Sequence, residues 1–199
     1  MKIITAFWGK KYDESLVKKL PIDLCFSDRP INGVNTKPIN MSYKGTWKKM
    51  TLFDKRLELG DCLFLDLDII IQGDLNILID YYKNNRVKNK VLLTHVHWFD
   101  NDRMLKNKGD YISCNVNSGV YAFNNSECDY IYQETKKHKV KLEMLFEGTD
   151  KWFYHKHKDW YTFWPDEYVQ HFKYDFEGHN RSKAIILSKN GNASGRNKI

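Results

Sequence analysis

The run CLFLDLDIIIQGDL, residues 62–75, constrains the fold more than any other stretch of the chain. It is apolar and strand-like, and only Asp66 and Asp68 interrupt it. Side chains on a strand alternate, so residues two apart share a face. The spacing predicts two carboxylates side by side, with Leu65, Leu67 and Ile69 turned the other way. Paired ionised carboxylates beside apolar neighbours repel each other and lose solvation, which is costly unless something compensates. A divalent cation is the usual compensation, because carboxylate oxygens suit Mg²⁺ or Mn²⁺. Such sites keep positions open for substrate phosphates. An Asp-x-Asp pair also occurs as a solvated turn or an edge-strand charge pair. Here it closes an apolar strand, which favours the metal, and Gln72-Gly73-Asp74 predicts a turn after it.

The flanking sequence supplies a setting for that strand. Residues 3–8 read as a buried strand, and a loop at 9–12 leads to a helix capped near Asp13 that carries Leu16, Val17 and Leu20. Pro21 ends the helix, and residues 22–27 form a second strand running into Asp28-Arg29-Pro30. This β-loop-α-β order implies parallel strands joined by right-handed crossovers. Ligands of open parallel sheets bind beyond the carboxyl ends of the strands. Phe7, Trp8 and Tyr12, Asp28, and Asp66 to Asp68 with Leu67 between them all fall at such ends. The aromatics of the first loop would frame a base by stacking, with Asp28 at the base edge or ribose.

Further along, residues 31–45 read as loop. Residues 47–59 predict a helix with Met50, Phe53 and Leu57 on one stripe and Lys48 exposed on it; Lys49 reads either as an exposed lysine or as a point charge for a ligand. Helices are expected at 75–82 and 129–138, and strands at 91–94, 114–123 and 184–187. Residues 100–110 read as a polar loop. The aromatic stretch 152–164 suits a core or a sugar platform.

With 199 residues and 42% hydrophobic content, the chain is expected to be one domain, residues 1–199, with a basic tail from about 189. Its formal net charge of +7 suggests an anionic partner. Four scattered cysteines suggest reduced thiols in the cytoplasm. No secretory signal or membrane-spanning run is evident. The pairs His95/His97 and His155/His157 lack the further ligands that a zinc site needs.

Several phrases, taken in order, resemble a GT-A-fold glycosyltransferase related to glycosyltransferase family 8 and its neighbours. They are TAFWGKKYDESLVKKL, GTWKKMTLF, LFLDLDIIIQGDL, CNVNSGVYAFN, EGTDKWF and WPDEYVQHFKY. The resemblance implies an α/β fold, a single GT-A domain with a Rossmann-like, mostly parallel open sheet flanked by helices. It implies transfer of a sugar from a nucleoside diphosphate sugar, expected to be a UDP-sugar, to a hydroxyl acceptor. Asp66 and Asp68 would hold Mn²⁺ or Mg²⁺, and Lys49 would meet the diphosphate or sugar. Asn117 and Ser118 would bond sugar hydroxyls, and Asp150 would be the acceptor-side carboxylate. The resemblance fails at its end, where ILSKNGNASG replaces the family's H-G-x-x-K-P. Asn190, water, His171 or His179 would then complete the metal shell, while Lys189 and Gly191 meet the diphosphate.

Two other readings compete. A sugar nucleotidyltransferase needs a Gly-rich phosphate loop after its first strand, and FWGKKY offers only Gly9. A non-catalytic basic protein binding nucleic acid or nucleotide would explain the charge, but not Asp66 and Asp68, so no nucleic acid is expected.

Overall fold

The computed structural model describes residues 1–96, 114–156, 158–172 and 181–188. Strand β1 (Lys2–Phe7) leads through a short helix, α1 (Glu14–Lys18), to β2 (Leu24–Ser27) and β3 (Thr36–Pro38). Asp13 caps α1 by accepting from the Ser15 amide, and acidic Glu14 stands in the first turn, as the positive helix end favours. Strand β4 (Asp61–Leu65) is followed by a separate short strand, β5 (Ile69–Ile71), and by α2 (Leu75–Asn85), which Asp74 caps. Then come β6 (Val91–His95), β7 (Val116–Asn124), α3 (Asp129–Leu145) and α4 (Thr149–Lys156). The strands β8 (Tyr161–Phe163), β9 (Val169–His171) and β10 (Ile186–Ser188) complete the described chain.

Seven strands form one sheet in the order β3-β2-β1-β4-β7-β6-β8. Pairing is parallel from β3 to β4 and between β6 and β8, whereas β7 runs antiparallel to both of its neighbours. The sheet is thus mostly parallel and is covered on both faces, which explains why β1 and β4 read as unbroken apolar runs. Leu63, Phe64 and Leu65 are all fully buried. Phe64 packs on Tyr121, with ring centroids 4.6 Å apart, and truncating it to alanine would cost about 3–5 kcal/mol. Strands β5, β10 and β9 form a second, three-stranded sheet.

Four expectations need correction. The segment predicted as a helix over 47–59 is a 3₁₀ helix, Gly45–Phe53, followed by a single 3₁₀ turn, Lys55–Leu57. Lys44 stands at its N-cap without a capping side chain, and residues 47–53 are buried all round, so packing rather than helix propensity shapes it. Lys48, expected on an exposed face, is 7% exposed and donates from Nζ to the Tyr43 carbonyl at 2.6 Å. The loop over 31–45 contains β3, which parallel pairing with β2 creates. Helix α3 runs on to Leu145, past a non-helical residue at His138 (φ −115°, ψ 20°). The polar loop expected over 100–110 lies outside the described residues.

Candidate active site

Strand β4 ends at Leu65, so Asp66 and Asp68 do not share a strand face as expected. They occupy the turn that carries the chain from the large sheet into β5. The Asp66 amide still donates to the Gly119 carbonyl at 2.8 Å, one bond beyond the ladder. The alternation survives in burial, since Leu65 and Leu67 are buried whereas both acids are half-exposed.

Each acid meets a different element. Lys49 Nζ lies 2.7 Å from Asp66 Oδ2 and also reaches the Ser118 carbonyl at 3.3 Å. The Tyr12 hydroxyl donates to Asp68 Oδ2 at 2.9 Å. Burial, and then the charge of Asp66, holds the Asp68 carboxyl above the usual carboxylate range. Burial followed by the Asp68 charge pushes the Tyr12 phenol up as well. These two carboxylates therefore feel each other, as two acids around one cation position would.

Ser118 links this pair to Asp150. Its amide donates to Asp150 Oδ1 at 3.0 Å, and its hydroxyl lies 3.3 Å from the Thr149 hydroxyl. Asp150 lies in the first turn of α4, where negative charge is favoured. Burial still raises its carboxyl above the ordinary range, against the lowering effect of the Ser118 bond. Close packing fixes α4 here, because a Cβ on Gly148 would stand 3.0 Å from Thr46 Oγ1. Asn117 and Ser118 lie within β7, and Asn117 Oδ1 accepts from the Gly119 amide at 2.8 Å. Sequence reasoning missed Tyr121, whose buried hydroxyl is raised by desolvation, then by Asp66, Cys62 and Asp150. No local signal flags it, because its place opposite Phe64 depends on the pairing of β7 with β4.

The first loop is partly structural. Phe7 is 1% exposed and packs with Val17, Cys25, Ile31 and Leu67, so it belongs to the core and does not frame a ligand. The Arg29 guanidinium lies 4.5 Å from its ring centroid. Asp28 Oδ2 accepts from the Gly9 amide at 2.8 Å and Oδ1 from Arg29 at 2.9 Å, which ties that carboxylate to the loop. Gly9 adopts φ 68°, a conformation that glycine takes without penalty. Trp8 remains partly exposed, with Lys48 Nζ 5.8 Å from its ring centroid.

The other candidates separate. Lys189, Asn190, Gly191, His97, His157 and His179 lie outside the described residues. His171 is buried in β9, with β10 between it and β5. His95 Nδ1 lies 3.0 Å from Asp166 Oδ1. Among the described residues, no group of three or more His, Cys, Asp or Glu side chains is placed to hold a metal. Trp152, Phe153 and Trp164 are core residues and form no exposed sugar platform. No described helix is long and apolar enough to cross a membrane.

No protein-family model matches the sequence, and no curated protein matches it. Solved structures do. The galactosyltransferase LgtC, solved with donor and acceptor sugar analogues, superposes with a TM-score of 0.60 at 12% identity over 97% of this chain and 88% of its own. Glycosyltransferase GlyE of Streptococcus pneumoniae TIGR4 gives 0.53 at 17% identity over 83% of this chain, which spans only 45% of GlyE. Mouse xyloside xylosyltransferase 1 gives 0.52 at 12% identity over 96% and 97% of the two chains. The fold is thus the GT-A glycosyltransferase fold.

Proposed function

We propose that the chain is a metal-dependent glycosyltransferase that uses a nucleoside diphosphate sugar, with UDP as the nucleotide, and a hydroxyl acceptor. One observation carries the reading. Asp66, Asp68, Lys49, Ser118 and Asp150 come from four separated stretches of sequence and form one connected set beyond the carboxyl end of β4.

The donor set fits a hard divalent cation. Asp66 and Asp68 would hold it, with diphosphate oxygens and water filling the remaining positions. When bound, the cation supplies Lewis acidity toward the departing diphosphate. Lys49, buried and already aimed at Asp66, adds a fixed positive charge beside the same oxygens, where low dielectric strengthens it. Trp8 and Tyr12 frame the base side, and Tyr12 also orients Asp68 through its hydroxyl. Asn117 lines the sugar side.

Asp150 faces the acceptor. Its carboxyl, raised by burial, suits a general base that takes a proton from the incoming hydroxyl in an inverting transfer. In a retaining transfer the same carboxylate orients the acceptor and faces the developing positive charge.

The test is a screen of nucleotide sugars for release of free nucleoside diphosphate in the presence of Mn²⁺, Mg²⁺ or EDTA. The expected result is slow UDP release from one UDP-sugar that requires the metal, with UDP raising the melting temperature of the unaltered chain. Absence of nucleotide release with every donor, together with no thermal response to UDP and Mn²⁺, would overturn the assignment.

A further inference from the structure

Helix α3 is built back to front after its break at His138. Before the break it buries Ile131, Tyr132 and Thr135. After it, Leu142 alone is buried. The outward face carries Val140, Met144 and Leu145, which are 68%, 80% and 61% exposed, more than any other large hydrophobic among the described residues. A helix that serves only to cover a core places such residues inward.

Lysines outnumber acids over residues 136–147. After the break, Val140, Lys141, Met144 and Leu145 fall on one side of the helix, and exposed Lys136 and Lys137 stand just before it. The acids of this region hold partners, Glu134 lying 3.8 Å from His138 Nε2. Glu143 Oε1 accepts from the Lys44 amide at 2.8 Å, and Glu147 pairs with Lys151 at 2.6 Å.

We infer that this face of α3 docks the protein on an anionic phospholipid surface. Val140, Met144 and Leu145 enter the boundary between headgroups and acyl chains, and Lys136, Lys137 and Lys141 meet the lipid phosphates. Exposed apolar side chains flanked by lysines on one helix face are the chemistry that recognises such an interface. None of these side chains belongs to the Asp66 set, and the test needs no turnover.

Vesicle co-sedimentation of the intact chain tests the inference, using phosphatidylcholine with and without phosphatidylglycerol, at low and high salt. Binding is expected only with phosphatidylglycerol, and it should weaken as salt rises. The double variants Val140→Asp/Met144→Asp and Lys137→Glu/Lys141→Glu should each weaken it about tenfold or more. Ile77→Asp, at an exposed apolar position elsewhere, should leave it unchanged. Matching melting temperatures establish that the variants fold. The inference is overturned by absence of binding to phosphatidylglycerol vesicles, or by binding that survives both double variants. It is also overturned by a concentration-dependent dimer that Val140→Asp/Met144→Asp disperses, which would assign the face to a second copy of the chain.

Discussion

The two ends of β4 carry acids under opposite conditions. At the start of the strand, Asp61 Oδ1 accepts from Arg86 at 2.9 Å, Asn124 at 2.8 Å and Tyr82 at 3.3 Å. Arg86 in turn donates to Glu127 at 2.9 Å. Opposite charges alternate, and solvent reaches them. Just past the other end, Asp66 and Asp68 stand at a half-buried turn, where burial first and the Asp66 charge second raise the Asp68 carboxyl. One end of the strand is arranged for stability. The other holds electrostatic tension, as sites that bind charged ligands do.

Substitutions at either end break this comparison differently. The largest effect belongs to Asp66→Asn and Asp68→Asn, each expected to lower metal-dependent UDP release about a thousandfold. Asp68→Asn should not lower the melting temperature of the metal-free chain as Asp61→Asn would, whereas Asp66→Asn should, because it leaves buried Lys49 without its carboxylate; parallel calorimetry and a UDP assay resolve the contrast. Next is Lys49→Met, which leaves Asp66 without the cation 2.7 Å away. Loss of one member of a buried pair should cost about 3 kcal/mol in urea unfolding, with a fall in turnover. Arg86→Ala at the far end should cost about 1 kcal/mol, with turnover unchanged, because its ion pairs are solvated.

The smallest effect is a pH response. The Asp68 carboxyl lies above its ordinary value of 3.8, so the folded chain keeps a proton that the unfolded chain has released. Stability from this group therefore declines as pH rises from 3.8 through the raised value. Asp54 acts in the opposite sense, because its bonds to Arg56 lower its carboxyl, and its contribution is lost as pH falls. Subtracting the melting curves of Asp68→Asn from those of the unaltered chain isolates the declining component. A flat difference across that window would refute the tension at the turn.

The sequence made one end of this comparison readable and left the other obscure. The apolar run and its two acids stood out, and a capped helix before Pro21 and strands near 3, 24, 91 and 116 followed from pattern and breakers. Pairing partners did not. That Lys49 reaches Asp66, or that Ser118 holds Asp150, depends on β7 inserting antiparallel beside β4, which no local signal specifies. Lys48 shows the limit most plainly, since it read as solvated and is buried like Lys49 beside it. Strand β5 was hidden for a related reason: Ile69–Ile71 continues the apolar run without a break while changing sheets. Asp28 read as a ligand because it stands at a strand end, yet its oxygens serve the Gly9 turn.

The insertion of β7 also sets an order of events at birth. Strand β4 gains one neighbour as soon as β1 and β4 meet, but its second, which pairs Leu65 with Val120, starts only at Val116. At a synthesis rate of roughly 5–20 residues per second, the growing chain holds an open, greasy ribbon for several seconds. A nascent polypeptide halted after α2 should accordingly be bound by chaperones that shield bare strand edges, and one extended beyond Asn124 should escape them.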